Sequence, residues 1–439
     1  MKKILILGAG KSASWLIKYL LSQCEKNNWE CLVADADISL AQTKIGKHPK
    51  GKAVAFDANN LQATSALVSQ SDLIISLLPP TLHFQIARLC LQFKRHLVTA
   101  SYLSTEMKLL HTEAKKNKLI FLNEMGLDPG IDHMSAKKII DNIAADGGEL
   151  NVFKSYCGGL ISDNSDNNPW NYKFTWNPRN VVLAGQSAAR YLEDGKVRFI
   201  PPQRIFSQIE TIKAGKKNFD AYANRDSLSY IEQYGIQNCK TVLRGTLRKQ
   251  GFCKSWNVLV NLGLTDDTYQ IDTTNLTYAG LLDALLPKGK GSLKTRLLSF
   301  SNEDYNSIKK IEWLGLLKNE LIGNGLYSPA SILQSVLEKR WKLEKGDLDM
   351  IVMVHEFRYT LNSVNRKVTS TLILKGEEEA YTAMAKTVGL PIGIAAKLIL
   401  NGKIKKSGVL LPLQSEIYNP VLQELESYGI IFQETHSHK

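Results

Sequence analysis

Six short apolar runs, separated by stretches with helical periodicity, dominate the first 122 residues of the chain. The runs cover residues 4–7, 31–34, 53–56, 73–77, 96–99 and 119–122. Such runs are typical of strands buried on both faces, as in a parallel sheet that is covered by helices. We therefore predict an α/β fold whose N-terminal domain, residues 1–125, is a Rossmann-type doubly wound parallel sheet. The chain has 439 residues, and because one hydrophobic core serves roughly 250 to 300, at least one further domain is expected.

A glycine turn directly follows the first apolar run. Gly8 suits the tight turn out of the strand, and Gly10 lets the backbone approach a pyrophosphate. Ala13, at the third position of the pattern, still permits close packing of the next helix on the sheet. The amides of Lys11 and Ser12 would face a diphosphate, whose negative charge suits a helix N-terminus. The turn therefore predicts a dinucleotide site, the alternative being a turn with only a structural role.

Further candidate cofactor residues stand at the ends of the next three runs. Asp35 offers a carboxylate to the ribose hydroxyls of an adenosine. No arginine lies between Asp35 and Lys44 to receive a 2′-phosphate, which favours NAD over NADP. Asp57 is placed either near the adenine or as the cap of the next helix. The candidates at the end of the fourth run, where a parallel sheet receives its ligand, are Ser76, Leu77 and Leu78.

The pattern changes after about residue 150, which indicates a different kind of domain. Residues 350–361 and 368–374 alternate apolar and polar side chains around a polar turn, as antiparallel hairpins with one buried face do. The predicted domains are a mixed α+β domain at 126–275 and 346–380, a helical insert at 276–345, and C-terminal helices at 381–439 that pack back on the first domain.

Polar residues that suit chemistry follow the fifth and sixth runs. Ser101 and Tyr102 come directly after the fifth, where a tyrosine is placed for substrate hydrogen bonding or proton transfer. A half-buried packing tyrosine is the alternative. Asp128 follows the sixth run and has two compatible roles. It can cap a helix that begins with Pro129, and it can aim a carboxylate into the ligand crevice.

Three donors share one face of a predicted strand further along the chain. Side chains alternate along a strand, so Arg244, Thr246 and Arg248 point the same way. Arg225 is near them in sequence. Guanidinium groups bind carboxylates bidentately, so this set predicts recognition of a small molecule with carboxylate groups. A solvent-facing edge strand is the alternative.

The chain is basic, with a formal net charge of +13. Its lysines are spread rather than clustered, which favours attraction of an anionic cofactor and substrate over nucleic-acid binding. Six cysteines without a CxxC pair, and His436 and His438 in a tail expected to be mobile, predict no metal site. There is no signal-peptide pattern and no uninterrupted apolar run of the ~18 residues that a membrane helix needs. We therefore expect a cytoplasmic protein without a membrane partner.

Longer stretches of the chain resemble the saccharopine reductase branch of the saccharopine dehydrogenase family, the glutamate-forming enzymes of lysine metabolism. The most specific are Asn-Glu-Met-Gly-Leu-Asp-Pro-Gly-Ile-Asp-His at 123–133 and Leu-Arg-Gly-Thr-Leu-Arg at 243–248. Further matches lie at 99–102, 155–160, 172–179, 224–228 and 385–391. The resemblance implies a Rossmann domain, a mixed α/β substrate and dimerisation domain, a small helical domain, and hence a homodimer.

The resemblance also implies the identity of site residues. It places the following at the saccharopine site: Ser101, Tyr102, Asp128, Arg225, Thr246, Leu247 and Arg248. It places Leu127 at the nicotinamide end of the cofactor, and Cys157 beside the substrate, although buried packing is an alternative for this cysteine. The catalytic candidates are then Asp128, Tyr102 and Cys157, which the sequence does not rank. Asp35 departs from the non-acidic residue common in NADP-using members, so kinship leaves the choice between NAD and NADP open.

These observations lead us to expect NAD(P)-dependent, reversible oxidation of saccharopine at its CH–NH bond. The products would be L-glutamate and 2-aminoadipate 6-semialdehyde. One alternative is a carboxynorspermidine-type enzyme that reductively couples a polyamine, for which acidic pocket residues would be more suitable than arginines. Another is a catalytically silent protein that binds the dinucleotide and reports redox state to a partner.

Overall fold

The computed structural model describes residues 1–438, which divide into two compact units. The first unit contains residues 1–146 and 376–432. The second contains residues 147–375 and 433–438.

The strands are β1 (Lys3–Leu7), β2 (Glu30–Asp35), β3 (Gly51–Ala55), β4 (Leu73–Ser76), β5 (His96–Thr99), β6 (Ile120–Leu122), β7 (Glu149–Ile161), β8 (Ala189–Glu193), β9 (Lys196–Ile200), β10 (Ile209–Ala214), β11 (Lys217–Ala223), β12 (Thr241–Lys249), β13 (Ile271–Asp272), β14 (Leu326–Tyr327), β15 (Asp349–Leu361), β16 (Val364–Lys375), β17 (Gly408–Leu410) and β18 (Gln433–His438). The α-helices are α1 (Ala13–Asn27), α2 (Ile38–Ile45), α3 (Leu61–Ser69), α4 (Pro80–Phe93), α5 (Thr105–Leu109), α6 (His111–Lys116), α7 (Ile131–Ala145), α8 (Pro178–Leu183), α9 (Ser229–Tyr234), α10 (Phe252–Asn261), α11 (Tyr278–Leu285), α12 (Leu293–Phe300), α13 (Tyr305–Leu314), α14 (Pro329–Arg340), α15 (Ala383–Leu400) and α16 (Ser415–Glu426).

The first unit is built on a seven-stranded sheet in the order β17-β6-β5-β4-β1-β2-β3, with every pair parallel. The predicted doubly wound parallel sheet is confirmed, and β17 adds a seventh strand that was not predicted. Strand β1 lies between β2 and β4, so the strand order reverses there. Ligands of such sheets bind outside the carboxyl ends of the strands at this reversal. The glycine turn after β1 and residues 77–78 after β4 meet at that edge.

Helix α15 packs against α1 at close range in the first unit. A Cβ atom at Gly389 would lie 2.8 Å from the backbone nitrogen of Leu16, and one at Gly393 would lie 2.6 Å from the Tyr19 ring. Only glycine therefore permits this approach of the two helices. Helix α15 is also the one described helix that is long and apolar enough to cross a membrane, and nearly all of its residues are buried inside this unit.

The second unit is a mixed sheet with helices packed on it. Its strands follow the order β10-β11-β12-β7-β15-β16-β18, and the hairpin of β8 and β9 joins through β12. The pair β12 and β7 is parallel, and the other pairs are antiparallel. Large aromatic side chains fill the core beside the helices, and they include Trp170, Tyr172, Phe252, Trp256 and Trp341.

The boundary between the units differs from the predicted one. It lies at 146/147 rather than 125/126, because α7 belongs to the first unit. The phenol of Tyr418 on α16 donates to Asp141 of α7 at 2.7 Å, one of the contacts that keep this helix there. The chain from 376 to 432 also belongs to the first unit, whereas residues 433–438 belong to the second, and the expectation that the tail carrying His436 and His438 is mobile is wrong. These residues form β18, which pairs with β16.

Candidate active site

The glycine turn after β1 has the geometry of a dinucleotide-binding turn. Gly8 has φ +105°, and a Cβ atom there would lie 3.3 Å from the backbone of Leu77. A side chain at this position would therefore be strained and crowded. At Gly10 a Cβ atom would meet nothing within 4 Å, so the space above this residue is open to a ligand.

Backbone donors line that open space. The amides of Gly10, Lys11 and Ser12 have no acceptor within the chain that the structure describes. Ser12 precedes the first residue of α1, Ala13, which is fully buried. Unpaired amides at a helix N-terminus favour an anion, so these residues fit the diphosphate of a dinucleotide.

Asp35, at the end of β2, and Lys44, on α2, both form hydrogen bonds to the same turn. One carboxylate oxygen of Asp35 accepts the amide of Ala9 at 2.5 Å, and the other accepts the amide of Asp37 at 2.9 Å. The Lys44 ammonium donates to the carbonyl oxygens of Ala9, at 2.7 Å, and of Gly10. Burial lowers the pKa of Lys44 to about 8, although Asp35 acts in the opposite direction. Lys44 was not singled out in the sequence, where nothing marks its contact with the turn.

The other predicted cofactor residues take different positions. Ser76 is buried and bonded to His83, and Leu77 and Leu78 are partly buried after β4. Leu127 is 4% exposed. Asp57 is exposed and accepts the amide of Asn59 at 2.9 Å. The predicted helix cap at Asp57 is wrong, because Asn60 caps α3.

Tyr102 and Asp128 meet in the first unit, although 26 residues separate them in sequence. The phenol of Tyr102 donates to Oδ1 of Asp128 at 3.2 Å, and both side chains are partly exposed. The predicted capping role of Asp128 is wrong, since α7 begins at Ile131 with Gly130 at its N-cap. The carboxylate of Asp128 thus does not cap α7, and it accepts the phenol of Tyr102.

A buried hydrogen bond between a glutamate and a histidine supports the two loops that carry these residues. Oε2 of Glu124 lies 2.6 Å from Nε2 of His133 on α7, and its Oε1 accepts the amide of Leu103 at 2.8 Å. Glu124 and His133 are 4% and 0% exposed. The pair therefore fixes the backbone next to Tyr102 relative to α7. Both residues lie in the 123–133 motif, but their contact was not predicted.

In the second unit, Arg244 lies on β12 and anchors the loop that follows β11. Its guanidinium carbon is 4.4 Å from the centroid of the Tyr230 ring, to whose hydroxyl Nη1 also donates. Its backbone carbonyl accepts the amide of Asn224, and its amide donates to the Ser227 hydroxyl, each at 2.9 Å. Arg225 lies in this loop with φ +53° and is exposed. The structure therefore brings Arg225 close to the strand of the other two arginines.

Arg248 lies four residues after Arg244 on the same strand. It is a buried cation without a carboxylate partner in the described chain. It is 2% exposed, and its guanidinium carbon lies 5.1 Å from the Tyr172 ring and 5.5 Å from the Phe252 ring. Nη1 donates to the carbonyl of Leu247 at 3.1 Å, whereas Nε has no acceptor in the described chain. No described carboxylate forms an ion pair with it. A buried guanidinium that lacks a carboxylate partner favours the binding of an anionic ligand.

Thr246 and Cys157 share the face of the sheet that carries Arg248. Cys157 on β7 is in register with Thr246 on β12, and it interacts electrostatically with Arg248. Cys157 is 7% exposed. Leu247 points to the other face, where its Cβ atom would lie 2.9 Å from a Cβ atom at Gly158, and it is fully buried. The structure therefore does not bring the Leu247 side chain together with the other predicted substrate residues.

The first unit also contains a buried polar residue that the sequence did not indicate. His83 on α4 bonds to Ser76 and to Ser101, which is half-buried after β5. A histidine within an otherwise apolar stretch after a predicted strand was the only sequence signal for it. The described residues contain no group of three or more His, Cys, Asp or Glu side chains that fits a metal ion.

The chain matches two family models along most of its length. Residues 4–122 match the saccharopine dehydrogenase NADP binding domain, and residues 126–430 match the saccharopine dehydrogenase C-terminal domain. The saccharopine dehydrogenase (NADP(+), L-glutamate-forming) of Schizosaccharomyces pombe is 34% identical, with 99% of each chain covered. The enzyme of the same name from Saccharomyces cerevisiae is 35% identical at the same coverage. The bovine mitochondrial alpha-aminoadipic semialdehyde synthase is 33% identical, and the match spans 47% of its length.

Solved structures give the same result. The apo saccharopine dehydrogenase (L-Glu forming) from Saccharomyces cerevisiae superposes with a TM-score of 0.90 at 32% identity, and both chains are fully covered. A homospermidine synthase from Legionella pneumophila has a TM-score of 0.56 at 12% identity over 99% of this chain and 91% of its own, a likeness of fold alone. The matched domains, the full-length relatives and the close structural match together show that the chain belongs to the saccharopine dehydrogenase family.

Proposed function

We propose that this protein is an L-glutamate-forming saccharopine dehydrogenase. It interconverts saccharopine and water with L-glutamate and 2-aminoadipate 6-semialdehyde, using a nicotinamide dinucleotide. The relatives that carry this name match the chain from end to end. The observation that carries the proposal is Arg248, a buried guanidinium without a carboxylate partner in the described chain. Saccharopine has three carboxylates, and one of them supplies the missing anion.

The arginine set distinguishes this substrate from a polyamine. Arg244 and Arg248 share a strand face, and Arg225 lies in the adjoining loop. A polyamine is a polycation, so these groups would repel it. Neither Arg244 nor Arg248 is on the surface, where repulsion would be screened.

The reaction is the oxidation of a secondary amine followed by hydrolysis of the resulting imine. The bound dinucleotide supplies the hydride acceptor. A base must take a proton from the substrate amine, and a group must move protons as water adds to the imine carbon and the carbinolamine collapses. Tyr102 and Asp128 form a hydrogen-bonded phenol and carboxylate that suit these transfers. We assign them the proton-handling role, with Cys157 as a polar neighbour of the substrate carboxylates.

We propose NAD as the preferred cofactor. Asp35 ends β2 with its carboxylate fixed by the amides of Ala9 and Asp37, beside the turn that fits the diphosphate. A ribose 2′-hydroxyl donates to a carboxylate, whereas a 2′-phosphate is repelled by it. The only nearby cation in this stretch, Lys44, is occupied by the carbonyl oxygens of the turn. The relatives named above are NADP(+) enzymes, so this proposal departs from them.

The test is an assay of purified protein with saccharopine and either NAD or NADP. Reduced nicotinamide should form, L-glutamate should be released in equal amount, and the kcat/KM for NAD should exceed that for NADP. A protein that binds NADH but oxidises no amine would instead be a dinucleotide-sensing protein.

A further inference from the structure

A buried histidine links the ends of two neighbouring strands in the parallel sheet. His83, in the first turn of α4, is 5% exposed. Its Nδ1 lies 2.8 Å from Oγ of Ser76, the last residue of β4. Its Nε2 lies 2.7 Å from Oγ of Ser101 and 3.2 Å from Oγ1 of Thr99, the last residue of β5. The ring therefore bridges the carboxyl edge of the sheet, where ligands of this fold bind.

The ring couples the donor and acceptor roles of the Ser76 and Ser101 hydroxyls. Burial lowers the pKa of His83 to about 4, so the ring is neutral near pH 7. A neutral imidazole has one N–H group and one bare nitrogen. One nitrogen therefore donates to a hydroxyl while the other accepts from one. The orientation of the Ser101 hydroxyl is thereby coupled to that of Ser76, which is itself buried.

Ser101 is the exposed end of this chain of hydrogen bonds. Its hydroxyl has no other partner in the part of the chain that the structure describes, and the residue is partly open to solvent. It directly precedes Tyr102, whose phenol is bonded to Asp128. A hydroxyl that is held on one side by a fixed ring offers its remaining hydrogen-bonding capacity in one direction. Because Ser101 directly precedes Tyr102, this capacity lies next in sequence to the proton-handling pair.

We propose that His83 is a positioning residue that fixes the Ser101 hydroxyl for contact with the substrate, through a hydrogen-bonded chain that begins at Ser76. This inference rests on the function proposed above, and it goes beyond it by naming a residue that does not touch the substrate. A histidine that only fills the core would leave the substrate parameters unaffected once the protein is folded. The two roles therefore predict different kinetics.

The test is a double-mutant cycle of His83→Leu and Ser101→Ala, followed by a comparison of two conservative variants of the histidine. His83→Leu should lower kcat/KM for saccharopine about tenfold, since one oriented hydrogen bond is lost, while the Kd for NADH stays within about twofold. Ser101→Ala should have a similar effect. Adding His83→Leu to Ser101→Ala should then cost less than about twofold more, because both changes remove the same interaction.

The two conservative variants distinguish the contribution of Nε2 from that of Nδ1. Glutamine places its amide near the position of Nε2, so His83→Gln should restore most of the lost kcat/KM. Asparagine places its amide near Nδ1, so His83→Asn should not. His96→Gln is the matched control, because His96 also belongs to this sheet but lies at the start of β5, where its Nδ1 accepts the amide of Ile120 at 3.1 Å. That control should retain wild-type kcat/KM.

The outcomes distinguish this inference from the proposed function. If wild-type protein oxidises saccharopine but the His83 and Ser101 effects multiply, only the positioning role is overturned. Equal kinetics in the glutamine and asparagine variants would overturn it as well, even if His83→Leu fails to fold. If wild-type protein does not oxidise saccharopine at all, both proposals fall.

Discussion

The phenolic hydroxyl of Tyr102 donates a hydrogen bond to Oδ1 of Asp128 at 3.2 Å, joining the loop after β5 to the loop before α7. If this pair handles protons, Tyr102→Phe and Asp128→Asn should each lower kcat about 100-fold, as loss of a general acid or base does. The double variant should be little worse than the poorer single one, because the two groups act as a unit. Steady-state kinetics with saccharopine measure both effects. A wild-type kcat in either single variant would exclude that residue, and titration with NADH controls for loss of the cofactor site.

Asp35 should set the cofactor preference. Replacing its carboxylate with the hydroxyl of serine removes the charge that a 2′-phosphate would face. Asp35→Ser should therefore raise kcat/KM for NADP about tenfold and lower that for NAD, when both are measured with saccharopine. Glu25→Gln, which removes an exposed acid elsewhere on the first unit, should change neither value. A wild-type protein that already prefers NADP would contradict the role given to Asp35.

Arg248 should contribute to substrate binding but not to the stability of the fold. Arg248→Met keeps much of the apolar packing against Tyr172 and Phe252 and removes a buried charge that has no described anionic partner. Its free energy of unfolding should be unchanged or higher by about 1 kcal/mol, whereas KM for saccharopine should rise about 10 to 100-fold. Urea unfolding and kinetics measure the two effects. Arg190→Met, which removes an exposed arginine paired with Asp226 at 2.6 Å, should leave KM unchanged.

If Arg248→Met were strongly destabilised and bound saccharopine normally, its guanidinium would have a structural role. The same variant should also lose the rise in Tm that saccharopine gives to the wild-type protein, since a ligand stabilises only the form that binds it.

Dinucleotide affinity should fall as the pH rises through about 8, the value to which burial lowers the pKa of Lys44. Above this pH its ammonium becomes neutral, and the positive charge beside the diphosphate turn is lost. The Kd for NAD should thus rise a few-fold between about pH 7 and about pH 9, and Lys44→Met should flatten this dependence. A pH dependence that is the same in both proteins would contradict this role.

The same lysine affects folding with a definite sign. Its pKa falls from 10.5 to about 8 on folding, so the unfolded chain binds more protons in the interval between these values. The stability contribution of Lys44 therefore rises with pH across that interval. Urea unfolding of wild type and Lys44→Met at several pH values measures the difference.

The ion pair of Lys173 and Asp347 should stabilise the second unit. The two groups are 2.6 Å apart, and each is more than nine-tenths buried. Asp347→Ala should lower the free energy of unfolding by about 3 kcal/mol, because the buried ammonium would lose its buried counter-ion and keep only the exposed Glu344, 3.9 Å away. Lys173→Met combined with Asp347→Leu should recover much of this loss. Exposed Glu320, which pairs with Lys318, offers the control Glu320→Ala, with an expected change below about 1 kcal/mol.

The sequence was sufficient to predict the parallel sheet because buried strands need unbroken apolar runs. The same reasoning did not find β17, which begins with Gly408 and lies almost 300 residues after the other strands of this sheet. It also failed at β18, whose residues are polar and pair at the edge of a sheet through backbone groups. Strands that are held by pairing rather than by burial leave little signal in the side chains.

The candidate site was predictable one residue at a time but not as an arrangement. Asp35, Tyr102 and Asp128 all follow predicted strands, and the carboxyl ends of parallel strands meet at one edge. The contact of Lys44 with the turn and the position of His83 depend on how helices lie on the sheet. Periodicity does not specify that placement. The helix start at Ile131 was missed because Asp128 and Pro129 form a favourable capping pattern two residues earlier.

The central claim is that this chain oxidises saccharopine with a nicotinamide dinucleotide and releases glutamate. The most direct measurement follows reduced-nicotinamide absorbance on adding saccharopine to purified protein with NAD or NADP, with L-glutamate quantified in the same samples. We expect equal amounts of reduced cofactor and glutamate, and no turnover by Asp128→Asn above about one hundredth of the wild-type rate. Absence of both products with either cofactor, from protein that binds NADH, would contradict the account.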